Sequence, residues 1–144
     1  MREPRRMLNT SPHRSWTMAR VGQKDTKPEM VVRRLVHGMG YRFRLHRKDL
    51  PGSPDIVLPG LRKVIEVRGC FWHRHPDPSC GRARVPKTRQ DFWIPKLERN
   101  AQRDAENERQ LRALGWDLMV VWECQTTPQH RQYLEAALQG FLSG

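Results

Sequence analysis

A chain of 144 residues is long enough to bury one core without disulfide or metal staples, so one domain is expected to carry both fold and function. Its 27 Lys and Arg against 15 Asp and Glu give a formal charge of +12 and an isoelectric point near 10.8, a self-repelling excess that points to nucleic acid ahead of a membrane surface. There is no run of about 18 apolar residues to cross a membrane and no apolar signal core after Met1-Arg2-Glu3-Pro4-Arg5-Arg6, so a cytosolic protein is expected, whose three cysteines serve as metal ligands or buried thiols rather than in disulfides.

Residues 1–24 are polar and basic without a sustained period, and read as an arm preceding a domain at 25–144. Arg14, Trp16 and Met18 on that arm either follow a nucleic-acid groove or belong to a frayed tail. Thr26-Lys27-Pro28-Glu29 is a capping box with proline in the first turn, and predicts a helix whose stripe is Val32, Leu35, Val36 and Met39, stopped by Gly40. Arg33 and Arg34 fall outside the stripe.

Tyr41, Phe43 and Leu45 alternate with Arg42, Arg44 and His46, the period of a half-buried strand with a basic face. After the turn Leu50-Pro51-Gly52-Ser53-Pro54, strands are expected at Asp55–Leu58 and Lys63–Arg68, joined by a tight hairpin. The second puts Glu66 and Arg68 on one face and Ile65 and Val67 on the other. Thr88, with Asp91 three later, is expected to cap a long, mostly polar helix running to about Leu114, with Gly115 as its stop. Trp116 to Trp122 then forms the most apolar strand, expected parallel and central in the sheet. Thr127-Pro128 opens a last helix with the stripe Leu134, Ala137, Leu138 and Phe141.

Four groups of residues bear chemistry. Pro54-Asp55 is followed eleven residues on by Glu66-Val67-Arg68. Carboxylates at adjacent strand ends can share a hard divalent cation that polarises a phosphodiester, and the pattern resembles the P-D…D/E-x-K metallonucleases of the restriction-endonuclease fold, with Arg68 where lysine is usual. The alternative is a turn aspartate and a surface pair. Cys70, His75, Cys80 and Cys124 offer three thiolates and an imidazole, a set suited to a closed zinc site pinning a Pro-rich loop; buried free thiols are the alternative. Phe71-Trp72 and Trp93 are aromatics that stack on or wedge between bases if exposed, and core residues if not. His73, near the carboxylates, can take a proton from water, with Asp104 on the long helix as its partner.

Together with Ser15-Trp16-Thr17-Met18, Pro28-Glu29, Leu50 to Asp55, Gly69 to His73, Phe92-Trp93, Asn100, Arg103-Asp104, Gly115-Trp116 and Val121 to Cys124, these residues resemble the very-short-patch repair endonucleases over roughly residues 11–126. Those bacterial enzymes nick beside the T of a T:G mismatch left by deamination of 5-methylcytosine. The resemblance implies an α/β protein with a restriction-endonuclease-like core, a mixed central sheet flanked by helices, and a structural zinc site. It implies catalytic Mg²⁺ on Asp55 and the carbonyl of Val67; Glu66 is a catalytic residue and further Mg²⁺ ligand by the restriction-type pattern. His73 would move the proton, oriented by Asp104, and Glu29 would support the site. Cys70, His75, Cys80 and Cys124 would hold Zn²⁺. Phe71, Trp72, Trp93 and Met18 would enter the DNA, with Arg68 and Asn100 among the DNA-binding residues. The implied partners are mismatched duplex DNA and mismatch-repair proteins, for a monomer at the bacterial nucleoid. A member of that family has threonine where this chain has Val67 and no carboxylate where this chain has Glu66. Rival readings are a restriction-type enzyme acting on paired DNA through Asp55 and Glu66, and a non-catalytic, zinc-stabilised DNA-binding module.

Overall fold

The computed structural model describes residues 25–144; the expected arm, Met18 with it, lies outside them. Helix α1 (Lys27–Gly38) begins at the expected cap, where Thr26 Oγ1 accepts the Glu29 amide hydrogen at 3.3 Å. The return half of the box shifts by one residue: Glu29 Oε1 accepts from the Asp25 amide at 3.0 Å, not from that of Thr26. Val32 and Val36 are fully buried, Leu35 and Met39 pack half-buried beside them, and Gly40, at φ +94°, ends the helix in the left-handed region.

Strands β1 (Arg44–Leu45), β2 (Ile56–Leu58) and β3 (Lys63–Arg68) form an antiparallel meander, and β4 (Asp117–Trp122) runs parallel to β3 in register from Lys63↔Asp117 to Arg68↔Trp122. The crossover between β3 and β4 contains helix α2 (Gln90–Ala113), and helix α3 (Arg131–Ser143) closes the chain. Ile56, Leu58, Ile65 and Val121 pack against Val32, Val36, Leu134, Leu138 and Leu142, so α1 and α3 cover one face of the sheet. Val57, Val64 and Leu118 pack with Leu111 and Trp116 on the face covered by α2. The result is a mixed α/β fold with helices on both sides of a four-stranded sheet. None of the helices among the described residues is long and apolar enough to cross a membrane.

Four expectations need correction. The strand expected over 41–46 shrinks to two exposed residues, because its three-residue partner β2 pairs only with Arg44 and Leu45, and His46, at φ +49°, turns the chain away. Tyr41 and Phe43 still pack against the core. The strand expected to be central, β4, lies at the edge of the sheet: the meander already occupies the other flank of β3, so β2 and β3 are the inner strands. Thr88 is not the cap of α2; Arg89, in the left-handed region at φ +61°, precedes the first helical residue and gives no side-chain cap. In α3 the buried stripe is Leu134, Leu138 and Leu142, with Phe141 half-buried and Ala137 exposed. Leucine buries more apolar surface than alanine, and the helix is turned accordingly.

Candidate active site and metal centre

Where β2 begins and β3 ends, a cleft of about 340 Å³ opens between the sheet and α2. Asp55, one residue before β2, enters it because the antiparallel register sets it beside the last residues of β3: Asp55 Oδ2 accepts the Val67 amide hydrogen at 2.7 Å. Glu66 reaches the cleft from the α2 face of β3, and His73 and Asp104 enter from the following turn and from α2. Gly52, Ser53, Asn107, Val67 and Arg68 also line it, as do His46 and Lys48.

The cleft concentrates negative charge in a partly dry place. Burial pushes the Asp55 carboxyl up to about 7, and the fields of Glu29 and Glu66 act in the same direction against the Val67 amide and Arg33. Burial also raises Glu66, opposed by Arg68, whose Nη2 and Nε donate to Glu66 Oε1 at 2.7 and 3.1 Å. Arg68 also lies 3.9 Å from Glu108, and its side chain is only 10% exposed, so it serves the interior of the cleft rather than an open surface. His73 Nδ1 lies 2.5 Å from Asp104 Oδ2, 31 residues away in sequence. Asn100, one turn before Asp104 on the same helix, donates to the Trp72 carbonyl at 3.0 Å and fixes the turn that carries His73.

Glu29 is 2% exposed. Its Oε2 accepts from Arg33 Nη2 at 2.5 Å and Nε at 3.1 Å, and Arg33 also pairs with Asp25. His46 Nε2 is 2.8 Å from the same Glu29 oxygen. The ligand atoms of Asp25, Glu29 and His46 lie within 4.8 Å of one another, but Arg33 already supplies the cation there. Neither Arg33 nor His46 was among the expected site residues. Arg33 carried a signal, since it stands one helical turn after Glu29; His46 carried none, because it reads as one more basic residue on a strand.

The four candidate zinc ligands converge although Cys124 is 44 positions beyond Cys80: one ligand atom each from Cys70, His75, Cys80 and Cys124 lies within 4.8 Å of the others. Cys124 Sγ is 3.6 Å from His75 Nδ1. The His75 ring stacks on Trp122 at 4.4 Å and 13°, and its amide donates to the Cys70 carbonyl at 2.9 Å. Burial pushes the Cys70 thiol up to about 12, and the Cys124 thiol is raised as well. A thiol-rich, tetrahedral-sized cluster of this kind fits a soft dication, which takes the ligands as thiolates.

Phe71, Trp72 and Trp93 meet edge to face with centroids 5.1, 5.3 and 6.0 Å apart. All three are half-buried, and Phe92, 46% exposed and 5.0 Å from Trp93, extends the cluster outward. The aromatics thus form a wall beside the His73 turn.

Residues 8–80 match the family model described as DNA mismatch endonuclease Vsr. The chain is 50% identical over 129 residues to the type II nicking enzyme V.XorIIP of Xanthomonas oryzae pv. oryzae, covering 90% of this chain and 91% of that protein. It is 40% identical over 116 residues to the type II nicking enzyme V.NmeAIP of Neisseria meningitidis serogroup A, covering 81% of each. To the DNA mismatch endonuclease Vsr of Escherichia coli K12 it is 40% identical over 111 residues, 77% of this chain and 69% of that protein.

Proposed function

Since the chain belongs to the DNA mismatch endonuclease Vsr family and is a DNA endonuclease, we propose that it nicks one strand 5′ to the T of a T:G mismatch. The nick leaves a 3′-hydroxyl and a 5′-phosphate and begins very-short-patch repair of deaminated 5-methylcytosine. The observation that carries this reading is the convergence of Asp55 and the His73–Asp104 pair on one cleft, with the packed rings of Phe71 and Trp72 immediately before His73 in the chain.

In that cleft Asp104 accepts the Nδ1 hydrogen of His73, which leaves Nε2 to take the proton of the attacking water. Asp55 and the Val67 carbonyl would hold Mg²⁺, a hard cation that keeps several waters and supplies positive charge to the phosphate. The residues fit that ion: a carboxylate and a backbone carbonyl on the same cleft are the hard oxygen donors that a small dication takes. Glu66, tied to Arg68, is the less available ligand, and that pairing weighs against a restriction-type reaction through Asp55 and Glu66. Glu29 supports the site from α1.

Cys70, His75, Cys80 and Cys124 would hold a structural zinc that pins loop 70–80 and so the His73 turn. Phe71, Trp72 and Trp93 would enter the stack at the wobble-paired step, which yields more cheaply than a paired one, with Met18 reaching from the arm. The core is then of the restriction-endonuclease type, and the enzyme acts as a monomer on an asymmetric site. Asp55→Ala tests the reading: the variant should bind a T:G duplex and fail to nick it, and normal nicking would overturn the metal assignment.

A further inference from the structure

His46 joins two carboxylates that approach the cleft from different elements. Glu29 belongs to α1 and is buried; Asp55 stands at the head of β2. The His46 imidazole lies between them, with Nε2 2.8 Å from Glu29 Oε2 and Nδ1 3.8 Å from Asp55 Oδ1. Its main chain is tied to the same strand, since the His46 amide donates to the Asp55 carbonyl at 3.1 Å, one step past the Leu45↔Ile56 pair.

The backbone shows that this placement is imposed. His46 sits at φ +49°, a left-handed conformation that a side-chain-bearing residue adopts at some energetic cost. On a regular strand it would alternate with Leu45 across the sheet. The left-handed turn instead brings the ring against α1, where Arg33 Nη2 also meets Nε2 at 3.1 Å. The Asp55 carboxylate is held at Oδ2 by the Val67 amide at 2.7 Å, and its Oδ1 lies 3.8 Å from His46 Nδ1, within ion-pair range but beyond a direct hydrogen bond.

We propose that His46 is a positioning residue: wedged between buried Glu29 and Asp55, it fixes the Asp55 carboxylate in the orientation that receives the divalent cation. This rests on Asp55 as the cation ligand. It gives Glu29, which lies behind His46, a physical route to the site.

Affinity for the cation alone, without DNA or turnover, provides the test. Mn²⁺ binding to the full-length, zinc-loaded protein is followed by electron paramagnetic resonance for the wild type and for His46→Ala, His46→Gln, Glu29→Gln and the Glu29→Gln/His46→Ala double variant, with thermal midpoints recorded in parallel. His46→Ala should weaken Mn²⁺ about tenfold. His46→Gln, which keeps the reach toward Glu29, should recover part of that loss. The double variant should be no weaker than the weaker single one, because Glu29 acts through His46. Unchanged Mn²⁺ affinity in His46→Ala alongside a lowered midpoint would overturn the inference and leave His46 as a packing residue; fully additive losses would also overturn it. Asp55→Ala separates the two levels: if it binds Mn²⁺ as the wild type does, the metal reading itself fails, whereas loss of binding there with no effect at His46 removes this inference alone.

Discussion

His73 and Asp104 meet across the cleft at 2.5 Å, Nδ1 to Oδ2, with 30% and 17% of their side chains exposed. The contact links the turn after β3 to the middle of α2, so the long crossover helix does more than cover a sheet face. It carries the carboxylate that pairs with the imidazole next to Trp72 in the chain, on the cleft that Asp55 also lines.

Replacing Asp104 with Asn should therefore leave DNA binding intact and slow single-turnover nicking by roughly 100-fold, the scale of a mis-set general base. His73→Ala should do about the same. The double variant should be no slower than His73→Ala, since the two act as a unit. Additive losses would show that Asp104 acts independently of His73.

The raised Asp55 carboxyl makes a prediction about pH. Its value of about 7, against an ordinary 3.8, means that the folded chain holds the proton more tightly than the unfolded chain. That contribution to stability is complete below about pH 4 and is lost as pH rises through about 7. It is bounded at roughly 4 kcal/mol, a tenfold change in proton affinity being about 1.4 kcal/mol. In Mg²⁺-free buffer, the thermal midpoint of Asp55→Asn should gain on that of the wild type between pH 5 and pH 8. A difference between the two midpoints that stays constant, or moves in favour of the wild type, over that range would contradict the burial of Asp55.

Cys124→Ser should lose one zinc per chain by elemental analysis, together with thermal stability on the order of 10 °C, because a metal that binds only the folded chain contributes its binding energy to folding. Retention of full zinc would exclude Cys124 as a ligand.

Gly52 approaches α2 closely: a Cβ placed there would stand 2.8 Å from Asn107 Nδ2, and the residue lies at φ +75°. Gly52→Ala should cost about 1–3 kcal/mol and lower the thermal midpoint by several degrees. Asn107→Ala in the same chain should restore only the part due to the amide group, since the Cβ at position 107, 3.0 Å away, and the strained backbone both remain. Full restoration would assign the whole effect to crowding.

Trp93→Ala should weaken binding to a T:G duplex by about 10- to 100-fold, the worth of one stacked base, with a smaller effect on a paired duplex. Equal losses on both duplexes would make the aromatic wall a packing feature.

Local sequence signals served the fold well wherever the element was self-contained. Thr26 capped α1, the Lys63–Arg68 alternation placed Glu66 and Arg68 on one face, and the apolar run before Cys124 marked a strand parallel to β3. What failed depended on partners. The length of β1 is set by the short β2, the edge position of β4 by the meander on the other flank of β3, and the start of α2 by the left-handed turn at Arg89. Sites followed the same division. Asp55, His73, Asp104 and the Cys/His set could be singled out by residue type and spacing, and the fold brings the members of each group together, but His46 depends on a positive φ that its flanking residues do not announce.

The most direct measurement is cleavage of end-labelled duplexes, one carrying a T:G mismatch and one fully paired as C:G, each in several flanking contexts, with Mg²⁺ and with chelator. A single Mg²⁺-dependent nick 5′ to the T, on that strand of the mismatched duplex alone, is the result predicted by the Asp55, His73 and Asp104 cleft and its aromatic wall. Equal cutting of the paired duplex, or nicking that persists in chelator, would contradict it.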